Sequence, residues 1–260
     1  LKPFCWPAAS PGQPRAAAWM PADRRALRKH LVAQRDGVAA RRLLGFDFDC
    51  TLTVRHFYKV FAWGYAQGNV KAHQHCEAFF TWCEDKGIDP EAKEVADFND
   101  PMGAVLEDFC GRCGEGTFKE VFREVFLGGS ERIALVAAWL ERMQGEGVEF
   151  AIVTAGMSSS VLRALTCVPE WQPYFSASHV WDTSQGRHSV RSIIDVKLLI
   201  LRDVSPSARR ILLVDDSLSK DKPSSWVLSA AAAEVYEGLP YEGPGVGEAA
   251  LLAIEQQLLA

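Results

Sequence analysis

Apolar residues follow two rhythms along this chain. Three short continuous runs, at 43–48, 148–153 and 210–214, are bounded by glycine or polar residues, the pattern of strands covered on both faces in a parallel sheet. Each ends on residues able to do chemistry: Asp47 and Asp49 after the first, Thr154 after the second, Asp215 and Asp216 after the third. Between the last two runs and before the second, apolar positions switch to helical spacing. Ile133, Val136, Leu140 and Met143 predict a helix that Ser130 would cap and Gly145 would end, and Ser158 would cap another reaching Leu165. This alternation predicts an α/β fold, a Rossmann-like doubly wound parallel sheet whose ligands bind at the carboxyl ends of its strands.

One connection is too long for a simple crossover. About ninety residues separate Thr53 from Val148, and they carry helical patterns at 77–86 and 117–127, the latter with a stripe of Phe118, Val121, Phe122, Val125 and Phe126. Residues 54–128 therefore read as a helical cap inserted over the sheet edge, a lid that would shield a site from water. The core is then 43–53 with 129–260, and 1–42 is an extension.

Composition narrows the class. The chain has 260 residues, 48% of them hydrophobic, enough for one domain with an insertion, and no apolar run is long enough to span a membrane. Charge is divided unevenly, with a net of +7 over residues 1–42 and −12 over the rest. An acidic body repels polyanions, so nucleic acid is not an expected partner. The basic leader, rich in Ala, Arg and Pro, reads either as the remnant of an organellar transit segment or as a helical arm over 23–31 that could engage a protein partner, and the expected location is cytoplasmic or organellar. Seven cysteines without a regular framework point to a reducing compartment. Among them, Cys110 and Cys113 have zinc-ligand or redox spacing, but without a second such pair the reading for Cys76 and Cys83 is core thiols on one helix face.

Two carboxylates at a strand end suit a particular reaction. A carboxylate can attack a phosphate ester in line to give an acyl phosphate, which water then cleaves. A second carboxyl, two residues on, can protonate the leaving oxygen and later take a proton from water. Both steps need charge neutralisation by Mg²⁺ and a lysine. Asp47 and Asp49 fit nucleophile and acid/base, and Asp215 and Asp216 offer further metal carboxylates. Thr154, with Ala155 beside it, offers a hydroxyl and backbone N–H groups to a phosphoryl oxygen, and Lys197, on the helix before the third run, or else Arg191, offers a cation to the same anion. Arg55, His56, Tyr58 and Lys59 follow the first aspartates into the cap and are candidates for substrate selection.

In combination, "DFDCTLT", "VTAG", Lys197 and "LLVDDSLSKD" resemble the four motifs of the haloacid dehalogenase superfamily, and the place of the insertion resembles that of its C1-capped members. The resemblance implies a Rossmann-like core, Asp47 as nucleophile, and Asp49 as acid/base with its backbone carbonyl on Mg²⁺. It also implies Thr154 and Lys197 on the phosphoryl group and Asp216 as metal ligand, with Asp215 and Asp221 alongside. An Asp at position 49 points to a phosphatase acting on a small phosphorylated metabolite, or to a phosphomutase. Cys50 departs from the pattern, standing where glycine is frequent. The competing reading is a catalytically idle fold of this type serving as a subunit of a larger assembly.

Overall fold

A computed structural model describes residues 42–65, 74–89, 101–185, 193–216, 226–230, 235–239 and 243–260. All of them fall within one unit, Ala39–Ala260. Residues 1–41 of the leader, Arg191 and Asp221 lie outside the described residues, and Arg42 belongs to the first strand rather than to the leader.

The three predicted runs form the centre of one sheet. They are β1 (Arg42–Phe46), β2 (Val148–Thr154) and β4 (Arg210–Asp215), with β3 (Val180–Asp182) beside β2. Beyond β4 come β5 (Trp226–Ala230) and β6 (Val235–Leu239), so the order is β3-β2-β1-β4-β5-β6. The four strands from β3 to β4 are parallel, whereas β5 and β6 are antiparallel additions that the apolar pattern does not predict. The fold is α/β and Rossmann-like, and β4 is not the last strand.

Side chains alternate between the two faces of each strand, which explains how the sheet is covered. Leu43, Ala151, Val153, Ile211 and Leu213 share one cluster with Ile200 and Leu201. These last two lie on a helix of residues Ile193–Val204. Leu44, Phe46, Phe150, Ile152, Leu212 and Val214 face the larger cluster on the opposite side. That side receives the helices Ser130–Gly145 and Glu248–Leu259. Gly45 belongs to the first face. A Cβ there would stand 2.5 Å from Leu201 Cδ1, so the bare strand lets the Ile193–Val204 helix approach closely.

Two expected caps are corrected. The helix Ser130–Gly145 begins after Gly129, whose φ of 90° suits glycine, and no side chain caps it. The helix Ser158–Leu165 is preceded by Met157, and its first N–H and the Ser158 hydroxyl both donate to Asp182 Oδ2, at 3.2 and 2.6 Å. A carboxylate from β3 thus caps the helix that a local serine was expected to cap.

Between β1 and β2 the chain is helical. Phe57–Lys59 opens into a wider turn over Val60–Tyr65, followed by Gln74–Asp85, Pro101–Cys113, Glu115–Val121 and a second wide turn, Phe122–Phe126. Phe57, Phe61, Phe79, Phe109, Phe118, Phe122 and Phe126 are all essentially inaccessible. Phe57, Phe61 and Phe126 meet with ring centroids 5.2–5.7 Å apart, an aromatic core suited to edge and offset contacts. Cys76 and Cys83 are buried in it as expected. No helix of the described residues is long and apolar enough to cross a membrane.

Candidate active site

The last registered pair of β1 and β4 is Phe46 with Val214. Asp47 donates its N–H to Val214 C=O at 2.8 Å, carrying the pairing one step further. Asp47 and Asp215 are therefore neighbours beyond the pair Gly45–Leu213, on the face covered by the Ile193–Val204 helix. On that helix Lys197, Ile200 and Leu201 are buried together at helical spacing. Leu201 docks on Gly45, and one turn earlier Lys197 meets the two aspartates. Its Nζ lies 2.8 Å from Asp47 Oδ1 and 2.5 Å from Asp215 Oδ2. Lys197 is 1% exposed and Asp215 0%, so water screens neither charge.

Between the aspartates, Phe48 turns the other way. Its ring packs on Phe57 and Phe122 at 6.1 and 6.4 Å, anchoring the loop in the helical insertion. The turn closes with Thr53 N–H on Phe48 C=O at 3.0 Å. Within it Cys50 has φ 61°, the one positive φ at a non-glycine position among the described residues, so this site has the backbone geometry that favours glycine. Burial pushes the Cys50 thiol above its ordinary value, and Asp216 and Asp49 add to it. It stays protonated and is no nucleophile.

Asp49 is held on one oxygen. Its Oδ1 lies 3.2 Å from both the Tyr58 N–H and His56 Nδ1, at the first turn of the insertion. Its Oδ2 faces Gly156, where a Cβ would stand 3.9 Å away and 3.4 Å from Thr154 Oγ1. Thr154 is buried and accepts the Gly156 N–H at 2.9 Å, while Ala155 is exposed. The strand-end residues of β1, β2 and β4 thus gather at one edge, with His56 and Tyr58 against Asp49. Arg55 lies elsewhere, in a hollow of about 590 Å³ shared with Glu77, Trp82, Asp85 and Glu124. Lys59 donates its backbone N–H to His56 Nδ1 at 3.4 Å.

The carboxylates of Asp47, Asp215 and Asp216 offer oxygens within 4.8 Å of one another, a group that could hold a metal ion. Three features fit a hard divalent cation. The donors are all carboxylate oxygens. Fully ionised, they carry three negative charges against the single ammonium of Lys197. Asp47 Oδ1 is buried, and although it is ion-paired with Lys197 it has no well-directed hydrogen bond.

Burial raises the Asp47 carboxyl above its ordinary value, with Asp215 and Asp49 adding to the effect and Lys197 opposing it. Burial likewise brings Asp216 up to about 6, with Asp215 contributing. Burial alone would lower Lys197, but Asp47 and Asp215 overcome it and hold the ammonium above its usual value. A carboxyl raised as far as that of Asp47 needs a further cation to be fully ionised at neutral pH. The carboxylate of Asp49 stands outside the three-residue group.

Sequence reasoning missed Asp182. It closes the loop after Thr154 by capping the next helix through Oδ2, and its Oδ1 accepts the Ser184 hydroxyl. Only the pairing of β3 with β2 reveals it, since Asp182 is the register partner of Thr154. Neither a scan against models of known protein families nor a search of curated proteins returns a match to this chain.

Proposed function

We propose that the protein is a Mg²⁺-dependent phosphomonoester hydrolase of the haloacid dehalogenase type, acting on a small phosphorylated metabolite, with residues 54–128 as its cap. The observation that carries this reading is the buried Asp47–Lys197–Asp215 bridge at adjacent strand ends, with Asp216 completing the carboxylate group. A purely structural sheet edge gains little from three carboxylates around one lysine, because removing such charges from water costs several kcal/mol each.

In this reading Asp47 Oδ attacks phosphorus in line and the ester oxygen departs, leaving an aspartyl phosphate. Asp49 gives its proton to the departing oxygen, then takes one from the water that cleaves the acyl phosphate and restores Asp47. Its orientation supports this, with Oδ1 fixed by the Tyr58 N–H and Oδ2 left toward Thr154 and Gly156. Lys197 holds Asp47 in place and offsets phosphoryl charge, while the Thr154 hydroxyl and the N–H of exposed Ala155 bind phosphoryl oxygens. Mg²⁺ held by Asp47, Asp216 and the Asp49 backbone carbonyl would neutralise charge developing on the phosphoryl group. Asp215, bonded through Oδ2 to Lys197 at 2.5 Å, serves as the lysine's anchor, and Asp216, which Lys197 does not bridge, is the direct ligand.

Purified protein with Mg²⁺ should release phosphate from p-nitrophenyl phosphate or from members of a phosphorylated-metabolite panel. The variant D47N should lose at least ~10³-fold of the rate. Absence of any Asp47-dependent hydrolysis across the panel would overturn the proposal.

A further inference from the structure

The loop that carries Asp49 is held from behind by a segment almost two hundred residues away. Its three successive carbonyls each receive a donor: Gly245 N–H to Cys50 at 2.9 Å, Val246 N–H to Thr51 at 2.8 Å, and Arg132 Nη1 to Leu52 at 2.9 Å. The same Nη1 also donates to Leu127 C=O at 3.0 Å, and Arg132 Nε donates to Val246 C=O at 3.2 Å. One guanidinium therefore joins the chain just before the helical segment 54–128, at Leu52, to the chain at the far end of that segment, at Leu127. It also fixes the segment that grips the loop.

This arrangement is costly to build. Arg132 extends from the Ser130–Gly145 helix into a place where its Nη2 is buried with no hydrogen-bond partner, and no carboxylate among the described residues pairs with it. Burial lowers its pKa to about 10. A buried cation bonded only to carbonyls is not explained by charge pairing. It is explained by reach, because a planar fork can bond carbonyls of separate segments at once, which an ammonium on a flexible stem does not. Gly245 is fitted just as closely. With φ +86°, it lies where a Cβ would be 2.5 Å from Val54 Cγ1 and 2.9 Å from Arg132 Nη2.

We propose that Arg132, Gly245 and Val246 are positioning residues for the acid/base loop, clamping Cys50, Thr51 and Leu52 so that Asp49 is presented at a fixed angle. Cys50 is the residue most in need of such a clamp, since its left-handed backbone is disfavoured for any side chain with a Cβ. The same contacts pin both ends of the helical segment 54–128, so the site's proton donor and the root of that segment are set by one device. The catalytic part of this inference rests on the reading of Asp49 as acid/base, and the clamp itself does not.

The test uses the full chain with R132M, R132K and G245A. Hydrogen–deuterium exchange should accelerate together in peptides covering 48–54 and 243–247, with 148–154 and 210–215 unchanged. R132M should show the larger change and R132K the smaller, and adding V54A to G245A should recover part of the protection by removing the nearest obstructing methyl. In Mg²⁺ assays, hydrolysis of an alkyl phosphate should fall at least ~10-fold more than that of p-nitrophenyl phosphate, because only the poor leaving group depends strongly on a well-placed proton.

Unchanged exchange at 48–54, or equal acceleration throughout the sheet in all three variants, would overturn the clamp. Equal loss on both substrates in a variant whose loop is loosened would overturn its role in presenting Asp49. Should R132M fail to fold, R132K and G245A carry the test. A wild-type protein without phosphatase activity would defeat the functional reading alone, and the exchange measurement would still decide the clamp.

Discussion

Replacing Asp216 with Asn should make the metal-free protein more stable and at the same time abolish its response to Mg²⁺. The oxygens of Asp47, Asp215 and Asp216 lie within 4.8 Å of one another, and Lys197 bonds only the first two. Among the described residues no cation lies in direct contact with Asp216, and Lys197 and His56 moderate its repulsion only from a distance. Its carboxyl is raised from 3.8 to about 6 by burial and by Asp215. A carboxyl raised in the folded state destabilises that state when ionised. The penalty is therefore fully present above pH 6, shrinks as pH falls, and is gone below 3.8.

A shift of that size corresponds to roughly 3 kcal/mol on the charged form. Coulomb's law agrees, since two unit charges at this separation and an effective dielectric near 20 repel by about 3.5 kcal/mol. Asp216 is only partly buried, so the expected gain for D216N in EDTA near neutral pH is roughly 1–3 kcal/mol, or a rise in Tm of about 2–10 °C for a chain of this length. Urea denaturation followed by circular dichroism measures it. The advantage should shrink when the comparison is repeated near pH 4. Adding Mg²⁺ should raise the wild-type midpoint, by about 2.7 kcal/mol at a hundredfold excess over Kd, and should leave D216N unmoved. A D216N protein that is less stable than wild type in EDTA near neutral pH, or that still responds to Mg²⁺, would refute the assignment of Asp216 as an uncompensated ligand.

Three further outcomes are expected. D49N should keep its fold and give a burst of nitrophenolate followed by slow turnover, its first step suffering far less with p-nitrophenyl phosphate than with an alkyl phosphate; equal first-step losses by rapid quench would show that Asp49 does not protonate the leaving group. K197M should lose about 3–5 kcal/mol in denaturant titration, because Asp47 and Asp215 would remain buried without their cation, and a loss below about 1 kcal/mol would mean the bridge does not form. G45A should cost about 1–3 kcal/mol, since its Cβ would meet Leu201 Cδ1 at 2.5 Å, and L201A should be less harmful in that background than alone; simple additivity would argue against the close approach.

What was legible in the sequence follows from what is local. Strands β1, β2 and β4 are continuous apolar runs because both faces are covered, and their ends carry the polar residues that burial forbids further in. That Asp47, Thr154, Asp215 and Asp216 stand at one edge of the sheet could be read from position alone. The three-residue β3 has too short a run to show a period, and its role comes from Asp182, which acts on Ser158 24 residues earlier in the chain. The serines at 130 and 158 look like caps in sequence, yet a left-handed Gly129 and a distant carboxylate take those places. Local propensity gives way where a tertiary partner offers a stronger bond.

The different surroundings of Asp215 and Asp216 show the same limit. Adjacent residues on a strand point to opposite faces, so only one of them can share a face with Asp47. Which one depends on the register of β1 against β4, and that is a property of the sheet rather than of either run. With Phe46 opposite Val214, it is Asp215 that stands beside Asp47 and is taken up by Lys197. The same alternation brings Lys197 to the site at all, since Leu43, Gly45 and Asp47 form one row and the helix that covers Leu43 and Gly45 also passes over Asp47. Arg132 lies beyond any such reasoning. In sequence it is one arginine near the start of an amphipathic helix, and nothing local distinguishes it from a solvated one. Its carbonyl partners at Leu52, Leu127 and Val246 come together only because the two ends of the helical segment lie side by side, with Val54 N–H on Phe126 C=O at 2.7 Å. A residue whose hydrogen bonds among the described residues all go to backbone carbonyls carries no local signal in the sequence.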